Sequence, residues 1–107
     1  MIARRWRGRV RLADFDAYLA YVEATGVAAL RETPGNEGVH ILRHRDEATA
    51  TAEFEVISLW RELDDIRAFA GDDISIARFF PDDDRYLVER ELTVRHDVID
   101  SYPALHG

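Results

Sequence analysis

At 107 residues the chain has the size of one domain, and its 47% apolar and 10% aromatic content suits a packed core, not a disordered chain. It has no cysteine, which excludes disulfides, thiolate chemistry and zinc–cysteine sites. A net charge of −7 argues against nucleic acid as a partner.

No stretch approaches the ~20 apolar residues of a membrane span, and the N-terminal MIARRWRGRV lacks the apolar run of a signal peptide. A cytoplasmic protein without a membrane partner is expected. Residues 2–10 read as a strand, with Ile2, Arg4, Trp6, Gly8 and Val10 on one face and Ala3, Arg5, Arg7 and Arg9 on the other. Residues 14–32 carry Phe15, Tyr18, Leu19, Val22, Gly26, Ala29 and Leu30 as one helical stripe, with Asp14 as N-cap. Gly26 on that stripe predicts a close contact or a kink.

Thr33 to Gly38 is turn chemistry, after which Val39–Arg45 and Thr51–Trp60 form the two strands of a hairpin. In the latter strand Phe54, Val56, Ser58 and Trp60 alternate with Glu55, Ile57 and Leu59. ELDD then opens a helix carrying Ile66, Phe69 and Ala70, stopped by Gly71. Asp72 and Asp73 are expected to cap a second short helix with Ile74, Ala77 and Phe80, which Pro81 ends. Asp82, Asp83 and Asp84 read as a solvated loop, and residues 87–99 as a last strand. Residues 1–99 form the domain and 100–107 a tail.

The order β-α-β-β-α-β predicts an α+β, ferredoxin-like fold with a four-stranded antiparallel sheet in the order 4-1-3-2. Its first strand lies between the third and the fourth. Arg5, Arg7 and Arg9 then flank Glu53, Glu55, Glu89 and Glu91, a ladder contributing ~0.2–1 kcal/mol per pair. Helices cover one face of such a sheet. The other, mixing charge with Ile41, Ile57 and Leu59, predicts packing against a second copy.

On the covered face, Phe54, Val56 and Trp60 are expected to meet Phe15 and Tyr18 from the first helix and Phe69 and Phe80 from the second helical region. Trp6, Phe79 and Tyr86 would line the mouth. An apolar cavity with polar tips at the Trp60 indole, Tyr18, Tyr86 and His40 is the usual character of a small-molecule site. His40 and His44 lie roughly 13 Å apart on a strand, too far to share a metal. No metal site is expected. His40 remains a candidate proton acceptor.

The stretches ARRWRGRV, ATGVAALRETPGNEGVHILRHR, FEVISLW, IRAFAG and FFPDDDRYLVERE together resemble the antibiotic-biosynthesis-monooxygenase (ABM) family. The resemblance spans residues 2–99 and implies a homodimeric α/β barrel built from ferredoxin-like protomers. It also implies cofactor-independent oxygenation of a phenol, quinol or polyketide-like aromatic. Trp60 would then position substrate, His40 or Tyr86 would move protons, and Arg4 or Arg7 would favour the phenolate. Polyketide oxygenases of this kind carry an Asn on the same strand face as the Trp. Here that position is Val56, and the single Asn, Asn36, lies in a turn, so an amide donor for a substrate oxyanion is missing. The Trp and His of heme-degrading members fall at Phe69 and Phe79, and their Asn falls near Trp6 or Arg7. Heme turnover is therefore not expected. A non-catalytic binding protein, or a non-oxidative isomerase or cyclase, is the alternative on the same scaffold.

Overall fold

Alternation of apolar and charged side chains along residues 2–11 and 51–60 builds the middle of the sheet. In the computed structural model, which describes residues 1–106, β1 (Ile2–Arg11) and β3 (Thr51–Trp60) run antiparallel along their whole lengths, Ile2 opposite Trp60 and Arg11 opposite Thr51. The hairpin strand β2 (Asn36–Asp46) pairs with the outer edge of β3. Two short strands, β4 (Leu87–Arg90) and β5 (Arg95–Val98), follow one another along the outer edge of β1. The fold is α+β, with an open antiparallel sheet of five strands and one long helical run across it.

That run is α1 (Phe15–Val22), a π-helical turn (Glu23–Val27) and α2 (Ala28–Glu32). The irregularity expected at Gly26 is the π turn, where the Thr25 hydroxyl donates to the Tyr21 carbonyl at 2.8 Å. Asp14 sits at the helix start, but its carboxylate pairs with Arg11 at 2.9 Å and caps nothing.

Two expectations fail together, for one reason. The last strand is broken, and residues 72–80 are not a helix. Ile76 forms a bridge with Thr93, the Ala77 amide donates to Leu92, and the Val94 amide donates to Ser75. Residues 92–94 thus leave β1 to pair with residues 75–77. This splits the four-stranded expectation into five strands and leaves residues 72–80 as a turn, a single bridge and irregular chain. Asp73 accepts from the Ser75 amide and hydroxyl in a local turn. Helix after β3 is limited to a 3-10 turn (Leu63–Ile66) and α3 (Arg67–Ala70), which Gly71 ends at φ 92°. The acidic run is no solvated loop either: Asp83 is buried and starts α4 (Asp83–Tyr86).

The core has two centres. Val10, Tyr18, Val22, Ala52, Phe54 and Leu87 form one; Leu30, Trp60 and Ile66 form the other, and Val56 packs against both. On the opposite sheet face Arg5 pairs with Glu55 at 2.6 Å and Asp97 at 3.3 Å, and Arg7 pairs with Glu91 at 2.8 Å. Arg9 reaches Glu53 at 3.4 Å and Glu89 at 3.7 Å. Ile41, expected on this face, packs on the helix side instead. Beyond β5 the Ile99 amide donates to the Met1 carbonyl, and Tyr102 and Leu105 are exposed. No helix among the described residues is long and apolar enough to cross a membrane.

Gly35 and Gly71 both adopt φ 92°, but a Cβ at Gly35 would also collide with the Asp65 carboxylate, whereas Gly71 faces open space. Both alanine substitutions should destabilise. Gly71→Ala should cost about 1 kcal/mol, and Gly35→Ala should cost more, up to about 3 kcal/mol, in urea unfolding. Equal losses would show that Asp65 moves aside freely.

Candidate functional site

At the seam between the two core centres the side chains do not close. A cavity of about 70 Å³, open at one side, is lined by Arg4 and Trp6 from β1, Val56 and Ser58 from β3, Tyr18 from α1, and Phe69, Phe80 and Asp83 from beyond β3. The π turn contributes Thr25 and Gly26. A Cβ at Gly26 would rest 3.7 Å from the Phe80 ring, an ordinary van der Waals contact, so the ring packs directly over this turn.

Period-two alternation puts Arg4 on the helix side of β1, where it is only 4% exposed. Its Nη1 donates to the Ile74 carbonyl and lies 3.2 Å from His96 Nε2, and its Nη2 donates to the Ile76 carbonyl at 2.9 Å. Among the described residues no carboxylate forms an ion pair with it. Burial without a countercharge pulls the guanidinium down to about 10, so it stays protonated at neutral pH. A guanidinium can only donate, so His96 Nε2 must accept. Burial, and then the Arg4 charge, lower the His96 ring below the ordinary histidine value, with Asp97 opposing. The imidazole is thus held neutral.

Across the site, Asp83 Oδ1 accepts from the Tyr18 hydroxyl at 2.9 Å and Oδ2 from the Phe80 amide at 2.7 Å. Burial first, and then the Asp83 charge, push the Tyr18 phenol well up. Tyr18 is a fixed neutral donor and not a base.

Of the residues expected at a site, Trp6, Tyr18, Val56, Phe69 and Phe80 come together around this cavity. The others lie elsewhere. Trp60 is fully buried beside Leu30 and Ile66, with its indole N–H spent on the Ser58 hydroxyl at 2.8 Å. His40 is exposed, opposite Ile57 on the other sheet face, and Arg7 is exposed on that same face. Tyr86 packs against Tyr18 and Tyr21 at 5.4 and 5.5 Å, outside the lining. Phe54 is buried in the core, Phe15 lies under Arg43 and Arg45 at 4.1 Å each, and Phe79 meets Trp6 edge-on at 6.0 Å.

Asp83, His96 and Thr25 were not singled out by sequence reasoning. His96 had a signal: it shares strand parity with Val94 and Val98, and pairing with β1 sets it opposite Arg4. Asp83 had none, being the middle of three identical residues. No group of three His, Cys, Asp or Glu residues suited to a metal occurs among the described residues. Comparison with models of known protein families and with curated proteins finds no match.

A lowered His96 means the unfolded chain binds that proton more readily than the folded one. Its stabilising effect is complete above the ordinary histidine value of about 6.5 and is lost as pH falls through the lower folded value. In an NMR titration His96 should stay neutral below that ordinary value, and His96→Asn should shrink the fall in urea midpoint between neutral and mildly acidic pH. A His96 that titrates at the ordinary value would remove the effect.

Proposed function

We propose that this chain binds a compact aromatic small molecule, of single-ring size, in the cavity between β1, the π turn and the segment leading to α4. The observation that carries this reading is the cavity wall. Trp6, Phe69 and Phe80 surround a space into which Arg4, Tyr18, Ser58 and Thr25 bring a few polar groups. Apolar walls with sparse polar groups are what small-molecule sites are made of. Size argues for one ring: the cavity of about 70 Å³ is roughly half the ~150 Å³ that encloses benzene in an engineered cavity. A single ring would enter by the open side and keep its remainder in the mouth; a fused-ring polyketide would require the covering segment to move. Titrating phenol into labelled protein should shift the Trp6 indole and the Thr25 and Gly26 amides. Val56→Phe, which fills the cavity, should weaken binding about tenfold or more. Shifts confined to the opposite sheet face would reject the site.

A second reading is the cofactor-independent oxygenase of the ABM resemblance, on a ferredoxin-like protomer. What supports it is the sheet order, with β1 between β3 and the β4–β5 edge, together with a cation lining the cavity. Arg4 beside a bound phenol favours the phenolate, the form that passes an electron to O₂. His40 and Tyr86 do not line the cavity, so in this reading Asp83 accepts the proton. Oxygen uptake with hydroquinone that stays at the buffer rate, in protein shown to be folded, would reject oxygenation and leave binding untouched.

The homodimer belongs to the same reading. Its support is the uncovered sheet face, where Leu42 is 56% exposed beside Ile57 and Leu59. The arginines there are already paired within one chain, so these apolar side chains are what a second copy would cover. Sedimentation at micromolar concentration should give a dimer, and Leu42→Asp should shift it toward monomer. A wild-type monomer would reject the dimer.

A further inference from the structure

We propose that the ligand of this cavity is an aromatic carboxylate and that Arg4 is its counterion. The inference rests on the aromatic cavity proposed above and adds the ligand's charge and head group. Buried charges in proteins are ordinarily paired. Arg5, Arg7 and Arg9, on the same strand, each have carboxylate partners, whereas Arg4, the most buried of the four, has carbonyls and a neutral imidazole.

The donors left over set the shape of the anion. Of the five guanidinium N–H groups, both on Nη1 and one on Nη2 have protein acceptors. Nε has none. No described side-chain nitrogen or oxygen is both fully buried and unpartnered, so Nε is not sealed off, and Arg4 lines the cavity. Nε and Nη2 share the edge of the guanidinium that grips both oxygens of a carboxylate. A phenolate offers one oxygen and leaves part of that edge unused. Phosphate carries more oxygens than that edge can pair and is strongly hydrated, so it costs more to desolvate against this apolar wall. Asp83 also lines the cavity, but each of its oxygens already accepts a hydrogen bond, from Tyr18 and from the Phe80 amide.

Benzoate and benzamide have nearly the same shape and differ in charge, so calorimetric titration of both into the full chain separates the two readings. Benzoate should bind about tenfold or more tightly than benzamide. That preference should vanish in Arg4→Met and survive in part in Arg4→Lys. The wild-type comparison needs no variant and decides the matter even if Arg4→Met does not fold. Equal affinity of the two probes for wild-type protein would overturn the counterion while leaving the aromatic cavity in place. No binding of benzoate, benzamide or phenol at millimolar concentration would overturn both.

Discussion

The guanidinium of Arg4 ties the centre of the sheet to the segment that crosses over it. By taking the carbonyls of Ile74 and Ile76, it removes acceptors that a helix over residues 74–80 would need for the amides of Arg78 and Phe80. The Phe80 amide goes to Asp83 instead. The segment is then free to pair with residues 92–94, and that pairing breaks the last strand. One buried cation therefore accompanies the two largest departures from a regular alternation of strands and helices. It also lines the cavity at the seam between the two core centres.

The two faces of β1 show how position decides what an arginine does. Arg5, Arg7 and Arg9 stand on the uncovered face among Glu53, Glu55, Glu89, Glu91 and Asp97. The more exposed pairs of Arg7 and Arg9 contribute about 0–1 kcal/mol each and keep the strands in register, while Arg5 also satisfies the buried Glu55 carboxylate. Arg4, shifted by one residue, points the other way into apolar surroundings where no carboxylate reaches it. Desolvating a charge there is costly. Its hydrogen bonds to Ile74, Ile76 and His96 offset part of that cost, and none of these partners supplies a countercharge.

Core packing and cavity lining are divided between neighbouring side chains on β3. Trp60 fills the second core centre and spends its indole N–H on Ser58. Ser58 and Val56 then present the adjacent wall of the cavity. A large aromatic at the end of a central strand looks like a binding residue by type, but here it is core and supports the cavity wall from behind. Tyr18 is similar: its hydroxyl fixes Asp83, and Asp83 in turn fixes the Phe80 amide, so the aromatic wall is held by a buried chain of hydrogen bonds.

By itself the sequence determined the features that depend on local periodicity: the alternating faces of β1 and β3, the helical stripe from Phe15 to Leu30, the hairpin, and the arginine–carboxylate ladder across the sheet. It also placed Trp6, Tyr18, Val56 and Phe69 on one side through strand and helix parity, whereas Phe80 reaches the same cavity from a segment that is not the expected helix. Only the tertiary structure decided that Trp60 is sealed in the core, that His40 faces away, and that Asp83 turns inward from an acidic run. The break after Arg90 was likewise invisible, since Val94 to Val98 alternate as any strand would. The physical reason is range. Periodicity is a local property, whereas which buried charge lacks a partner depends on residues some seventy or more positions apart being brought together, as Arg4 is with Ile74, Ile76 and His96.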